Sequence, residues 1–176
     1  MTKTRKLTRI GVFTALVAVG AFISIPMWPV AITLQTFFLM LAVLALPEEE
    51  AMVVPVIYFL LGIVGLPIFS GFSGGLASVF KPSFGFILGF IPATSLAAVL
   101  IKRENRGWEI KRLAVFHSIL YIIGLAYMYF ILNFHLGKGV DLVYVLQFGF
   151  LLFQPGDLLK AFLAILIAKR VRDVIR

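Results

Sequence analysis

Long apolar runs, separated by short connections rich in Pro, Gly or charge, set the pattern of this chain. Six runs stand out: Ile10–Ile25, Ile32–Leu46, Ala51–Leu66, Phe84–Ile101, Leu113–Asn133 and Phe148–Ala168. Each is near the length a helix needs to cross the hydrocarbon of a bilayer, about 20 residues. Several fall short, which predicts tilted or broken ends. Pro26, Pro29, Pro47, Pro67, Pro82 and Pro155 punctuate the boundaries or kink the spans. The pattern predicts an all-α integral membrane protein with six transmembrane helices, forming one domain over residues 1–176.

Composition supports this. The chain is 61% hydrophobic, against about 45–50% in soluble domains, and its mean hydropathy is +1.06. The apolar segment after the basic N-terminus runs on to Met27 and Trp28 without a small-residue cleavage site, so it is expected to be the first span, not a removable signal.

A net charge of +8 would suggest nucleic acid in a soluble protein. Here the positions of the charges explain it. All 16 Lys and Arg except Lys81, Lys138 and Lys160 lie before span 1, between spans 4 and 5, or after span 6. The positive-inside rule then puts both termini and the 4–5 loop in the cytoplasm. The expected surroundings are a lipid bilayer, with no nucleic-acid partner. Glu48-Glu49-Glu50 in the 2–3 loop is discordant, but acidic residues contribute little to topology. The absence of cysteine removes disulfides, thiolate chemistry and Cys-ligated metals.

The chemistry concentrates in Pro155-Gly156-Asp157-Leu158-Leu159-Lys160, inside the last run. Asp157 and Lys160 lie one turn apart on one helical face. Each charge at the centre of a membrane helix costs about 2.5–3.5 kcal/mol, so each needs a partner. The pair is expected to bind a small polar molecule; the alternative is a structural ion pair. Thr33, Gln35 and Thr36, at the start of span 2, are either ligand contacts or polar groups tolerated at the interface. Gly11, Thr14, Ala15, Ala18 and Ala21 form a small-residue stripe on span 1, suited to packing within the bundle or to a docked subunit. The connection Gly65–Ser83 is long, partly apolar and hinged by Gly71, Gly74 and Gly75. It ends without the Lys-Ser/Thr of a nucleotide loop, and is expected to be a lid over the bundle mouth. His117 and His135 lie a helix length apart and are expected to be non-catalytic. No metal cluster or nucleophile constellation stands out, so no enzyme activity is expected.

Several stations in order resemble one family: Ala18-Val19-Gly20-Ala21 through Ser24-Ile25-Pro26, Ile32-Thr33-Leu34-Gln35-Thr36, Gly65-Leu66-Pro67 with Phe69, Ser73-Gly74-Gly75-Leu76, Pro82-Ser83 with Gly85 and Gly89-Phe90, and Pro155-Gly156-Asp157 with Lys160. The chain resembles the BioY family, the biotin-specific S-components of energy-coupling-factor (ECF) vitamin transporters of prokaryotes. The departures are Lys81-Pro82-Ser83-Phe84-Gly85-Phe86 where the family usually reads Gly-Pro-Thr-Gly-Gly-Tyr, Ala31 in place of a common Pro, and the acidic 2–3 loop.

The resemblance implies a multi-pass protein of the prokaryotic plasma membrane whose site opens outward. It implies biotin as ligand, and Asp157, Lys160, Thr33, Gln35 and Ser83 as its contacts. It also implies docking of a transmembrane coupling subunit on Gly11, Ala15 and Ala18, with two ATPase subunits using ATP and no cofactor on this chain. The alternatives are an S-component for thiamine or riboflavin, a small intramembrane enzyme using Asp157, or a non-transporting scaffold.

Overall fold

The computed structural model describes residues 3–103 and 107–175, so Arg106 and Arg176 of the basic clusters lie outside the described residues. The chain is mostly helical. Helix α1 (Lys3–Phe22) leads through a two-stranded antiparallel hairpin, β1 (Ser24–Ile25) and β2 (Ile32–Thr33), into α2 (Gln35–Ala45). Helix α3 (Glu48–Val64) is followed by a 3₁₀ turn (Leu76–Phe80), then α4 (Phe84–Leu100) and α5 (Trp108–Phe130). A π-helical turn (Ile131–His135) ends α5; α6 (Leu142–Leu146), a second π turn (Gln147–Leu151) and α7 (Gln154–Ile175) complete the chain.

Two helical runs among the described residues are long and apolar enough to cross a bilayer, Trp108–His135 with 28 residues and Leu142–Ile175 with 34. The other expected spans need adjustment. The first stops at Phe22, because Ser24 and Ile25 pair with Thr33 and Ile32 in the hairpin. The second is only 11 residues, about 16 Å at the α-helical rise. Beyond Gln35 and Thr36 helix α2 is apolar all round, and every residue from Leu39 to Ala45 is buried, as expected for a helix enclosed by its neighbours. It packs between α1 and α7, while α4 lies along α5 in the most extensive helix pair. Pro55 and Pro92 lie inside α3 and α4, not at their ends.

One end of the bundle is laced with charge, and there the discordant acidic triplet finds its role. Glu48 pairs with Arg112 on α5 at 2.6 Å, Glu49 with Lys6 at 2.9 Å, and Glu50 with Arg9 at 2.6 Å, the last two on α1. Arg112 is fully buried, and its guanidinium also donates to the carbonyls of Val43, Ala98 and Ile101. It thereby closes the C-terminal ends of α2 and α4, whose last carbonyls lack helical partners. Trp108 receives the guanidiniums of Arg103, Arg112 and Arg172 at 4.9–5.4 Å from its ring, within cation–π range. Arg9 also donates to the Ile175 carbonyl, so both ends of the described chain lie on this face.

At the opposite end the α3–α4 connection is anchored from below. Phe69 is buried against Gly62, where a Cβ would stand 2.1 Å from the ring. Phe69 and Ser73 exchange backbone hydrogen bonds, and the Gly75 amide donates to the Gly62 carbonyl at 2.7 Å. The exposed tip is Gly71-Phe72, with Phe72 at a positive φ of 53° and stacked on Phe22 of α1 at 4.6 Å.

Candidate functional site

The second π turn decides where the charges sit. Helical register shifts at Gln147–Leu151 and α7 begins at Gln154, so Asp157 lies in the first turn of α7, just past a register break inside the long helical run Leu142–Ile175. Pro155 fits there because a first-turn amide needs no acceptor. Broken register of this kind is frequent at functional sites.

Asp157 and Lys160 are both buried, at 3% and 7% exposure. Lys160 Nζ donates to Asp157 Oδ1 at 2.8 Å and to Thr36 Oγ1 at 3.2 Å. The Tyr121 hydroxyl donates to Asp157 Oδ2 at 2.6 Å, and His117 Nε2 lies 3.8 Å from the same oxygen. The insertion cost is therefore offset within the protein by a hydrogen-bonded pair with no net charge. Capacity remains. A carboxylate offers about four acceptor positions and an ammonium three protons, and these contacts leave some of each.

A second polar strand of contacts runs from α2 to α3. Gln35 Nε2 donates to the Tyr58 hydroxyl at 2.6 Å, and that hydroxyl donates to the Ile68 carbonyl at 2.8 Å. Thr33 Oγ1 donates to Gln35 Oε1 at 2.9 Å. Tyr58 has no exposed surface. The chain of bonds fixes the amide of Gln35 and ties it to the base of the connection.

Asp157, Lys160, Thr36 and Tyr121 of the first group and Thr33 and Gln35 of the second border one cavity of about 260 Å³, close to the lower end of the range for small-molecule sites, about 300–1,000 Å³. It brings together all five expected contact residues, Asp157, Lys160, Thr33, Gln35 and Ser83. Phe69, Phe86, Phe90 and Phe153, with Ile87 and Leu120, make the apolar wall. Of the three hinge glycines only Gly71 borders the cavity. Gly74 instead packs on the C-terminal end of α3 and the residues just past it, where a Cβ would stand 3.2 Å from the Gly62 carbonyl oxygen and closer still to that of Leu66. Gly75, at φ 76°, starts the 3₁₀ turn. These two glycines fasten the connection to α3. The arrangement can hold a largely apolar ligand and anchor it through donors and acceptors at its buried end.

The span 1 stripe divides. Thr14 and Ala21 are buried in the bundle, Ala18 is half-buried, and Gly11 and Ala15 are exposed. Nothing lies within 4 Å of a Cβ built on Gly11.

The BioY family model matches residues 1–176. The chain belongs to the BioY family. It is 37% identical to "Biotin transporter BioY" of Thermotoga maritima, over 97% of both chains. It is 34% identical to "Probable biotin transporter BioY" of Pyrococcus horikoshii, over 97% of this chain and 98% of that one. The crystal structure of the S-component for biotin from an ECF-type ABC transporter superposes with a TM-score of 0.83 at 26% identity. That match covers 98% of this chain and 95% of the other. These relatives are transporters and a transporter subunit, so this BioY-family chain is a membrane transport protein and not an enzyme.

The sequence of this BioY-family chain does not by itself single out Tyr121, and it marks His117 only as non-catalytic, without placing it at the site. Tyr121 and His117, both on α5, reach Asp157 from across the bundle. Their spacing was the available signal: two hydrogen-bonding side chains four apart share one helical face in an otherwise apolar run.

Proposed function

We propose that this chain is the biotin-binding S-component of an ECF transporter, a multi-pass protein of the prokaryotic plasma membrane. The observation that carries the reading is the buried Asp157–Lys160 pair at the end of a mainly apolar cavity, in a chain of the BioY family. Biotin presents a ureido group with two N–H donors, an apolar bicyclic ring with a thioether, and a carboxylate on an alkyl chain. Asp157 accepts a ureido N–H. Lys160 and Tyr121 hold its carboxylate in place by hydrogen bonds, Gln35 and Thr33 supply further polar contacts, and the Phe wall takes the rings. Biotin capture needs no cofactor on this chain.

The six apolar runs cross the bilayer with both termini cytoplasmic. Arg9, Arg112 and Arg172 mark the inner face, and the cavity opens outward beneath Gly71-Phe72. The basic clusters support this orientation. Short α2 reaches across only as part of a bundle whose neighbours shield it. The chain has no nucleotide-binding motif, so transport draws on a transmembrane coupling subunit and two ATPase subunits. The coupling subunit docks on α1 at Gly11, Ala15 and Ala18.

Substrate identity is tested by competition. Cells producing the chain together with an energising module are expected to accumulate labelled biotin. Excess unlabelled biotin should block this, and thiamine or riboflavin should not. Block by either of the latter would reassign the vitamin.

A further inference from the structure

The α3–α4 connection contributes cavity-lining groups that the Asp157 pocket does not use. Ser78 lies in the 3₁₀ turn, is 3% exposed and borders the cavity, yet its Oγ has no hydrogen-bond partner. Its backbone is fully engaged: its amide donates to Gly75 and its carbonyl accepts from Lys81. The side chain is thus an unpartnered buried hydroxyl that borders the binding cavity, whereas the unpartnered hydroxyls of Thr14 and Thr94 lie away from it.

Lys81, one 3₁₀ turn further on, borders the same cavity and is exposed. Among the described residues no carboxylate pairs with it, in contrast to Lys6, Arg9, Arg112, Lys160 and Arg172. Ser83 caps α4 with no hydrogen bond from its side chain to the helix, and also faces the cavity. The side chains at this end can donate two hydroxyl protons and an ammonium, the complement of an anion. The deep end differs, because there the ammonium of Lys160 is paired with the Asp157 carboxylate, whose charge opposes a second anion.

We propose that Ser78 and Lys81 form an anion-binding end of the cavity that takes the carboxylate of the ligand, with Ser83 beside them. The ligand then lies with its ureido group at Asp157 and its charged tail under the connection, and the connection selects for a free acid. This rests on biotin being the ligand. Lys81 stands where the resemblance to the family leads one to expect Gly, so the ammonium is a feature of this chain.

The test compares biotin with biotin methyl ester, which keeps the rings and removes the charge. Equilibrium binding is measured on detergent-purified chain and on the Ser78→Ala, Lys81→Met and Lys81→Arg variants. The unmodified chain is expected to prefer biotin over the ester by about tenfold or more, the effect of one or more hydrogen bonds to a charged group. Ser78→Ala and Lys81→Met should each lose about tenfold or more for biotin but little for the ester, whose binding also reports that the variants are folded. Lys81→Arg should keep the preference. Equal loss of both ligands, or no loss of either, would overturn the anion-binding end while leaving biotin as the ligand. No binding of either compound to the unmodified chain would overturn the biotin reading and this inference with it.

Discussion

Asp157→Ala is expected to lower biotin affinity by roughly ten- to a hundredfold, because a hydrogen bond to a charged acceptor contributes about 1.5–3 kcal/mol and each 1.4 kcal/mol is a factor of ten. The same substitution also removes the partner of Lys160 Nζ, bonded to Asp157 Oδ1 at 2.8 Å in a site only 7% exposed at the lysine. Breaking one side of a buried pair costs about 3–5 kcal/mol, so thermal unfolding in detergent should also come earlier. Binding and stability can be separated. In the double variant Asp157→Leu with Lys160→Met the uncompensated charge is gone, so stability should recover towards the original while biotin affinity stays low. A double variant that bound biotin normally would make the pair a structural lock and remove it from the site.

Ala15→Trp is expected to abolish co-purification with the coupling subunit and biotin uptake with it, while biotin binding by the isolated chain is unchanged. Gly11 and Ala15 face outward, with open space above Gly11, so the bundle itself has room for a larger side chain. A close helix–helix contact built on small residues does not. Overpacking a fitted contact by a few methylenes costs about 1–3 kcal/mol, and an indole is far larger. Retained co-purification would place the docking face elsewhere. Reduced biotin binding would mean that α1 supports the cavity directly.

How much of this was legible beforehand differs between fold and site. The helical runs were plain because apolar length is a strong signal. Their ends were not, since Ser24-Ile25 reads as a continuation of α1 until Ile32-Thr33 returns to pair with it. The π turn at Gln147–Leu151 leaves no mark in hydropathy, which hid the change of helical register just ahead of Asp157. Asp157 and Lys160 were visible because charge in an apolar run is expensive and therefore rare. Tyr121 was not, because an aromatic in such a run reads as packing until its hydroxyl finds a partner 36 positions away; His117 was noticed, but its neighbour Asp157, 40 positions away, is brought to it only by folding. The Glu48-Glu49-Glu50 triplet looked out of place among cytoplasmic positives. Its three partners, on α1 and α5, are brought to it only by folding.

The most direct measurement is equilibrium binding of labelled biotin to the purified chain alone, after co-purified vitamin has been stripped by unfolding and refolding or by exhaustive exchange. The predicted result is saturable binding at one biotin per chain, weakened by Asp157→Ala. A folded, ligand-free preparation that bound no biotin would contradict the account at its centre, leaving the helical architecture in place and the ligand to be sought among other vitamins.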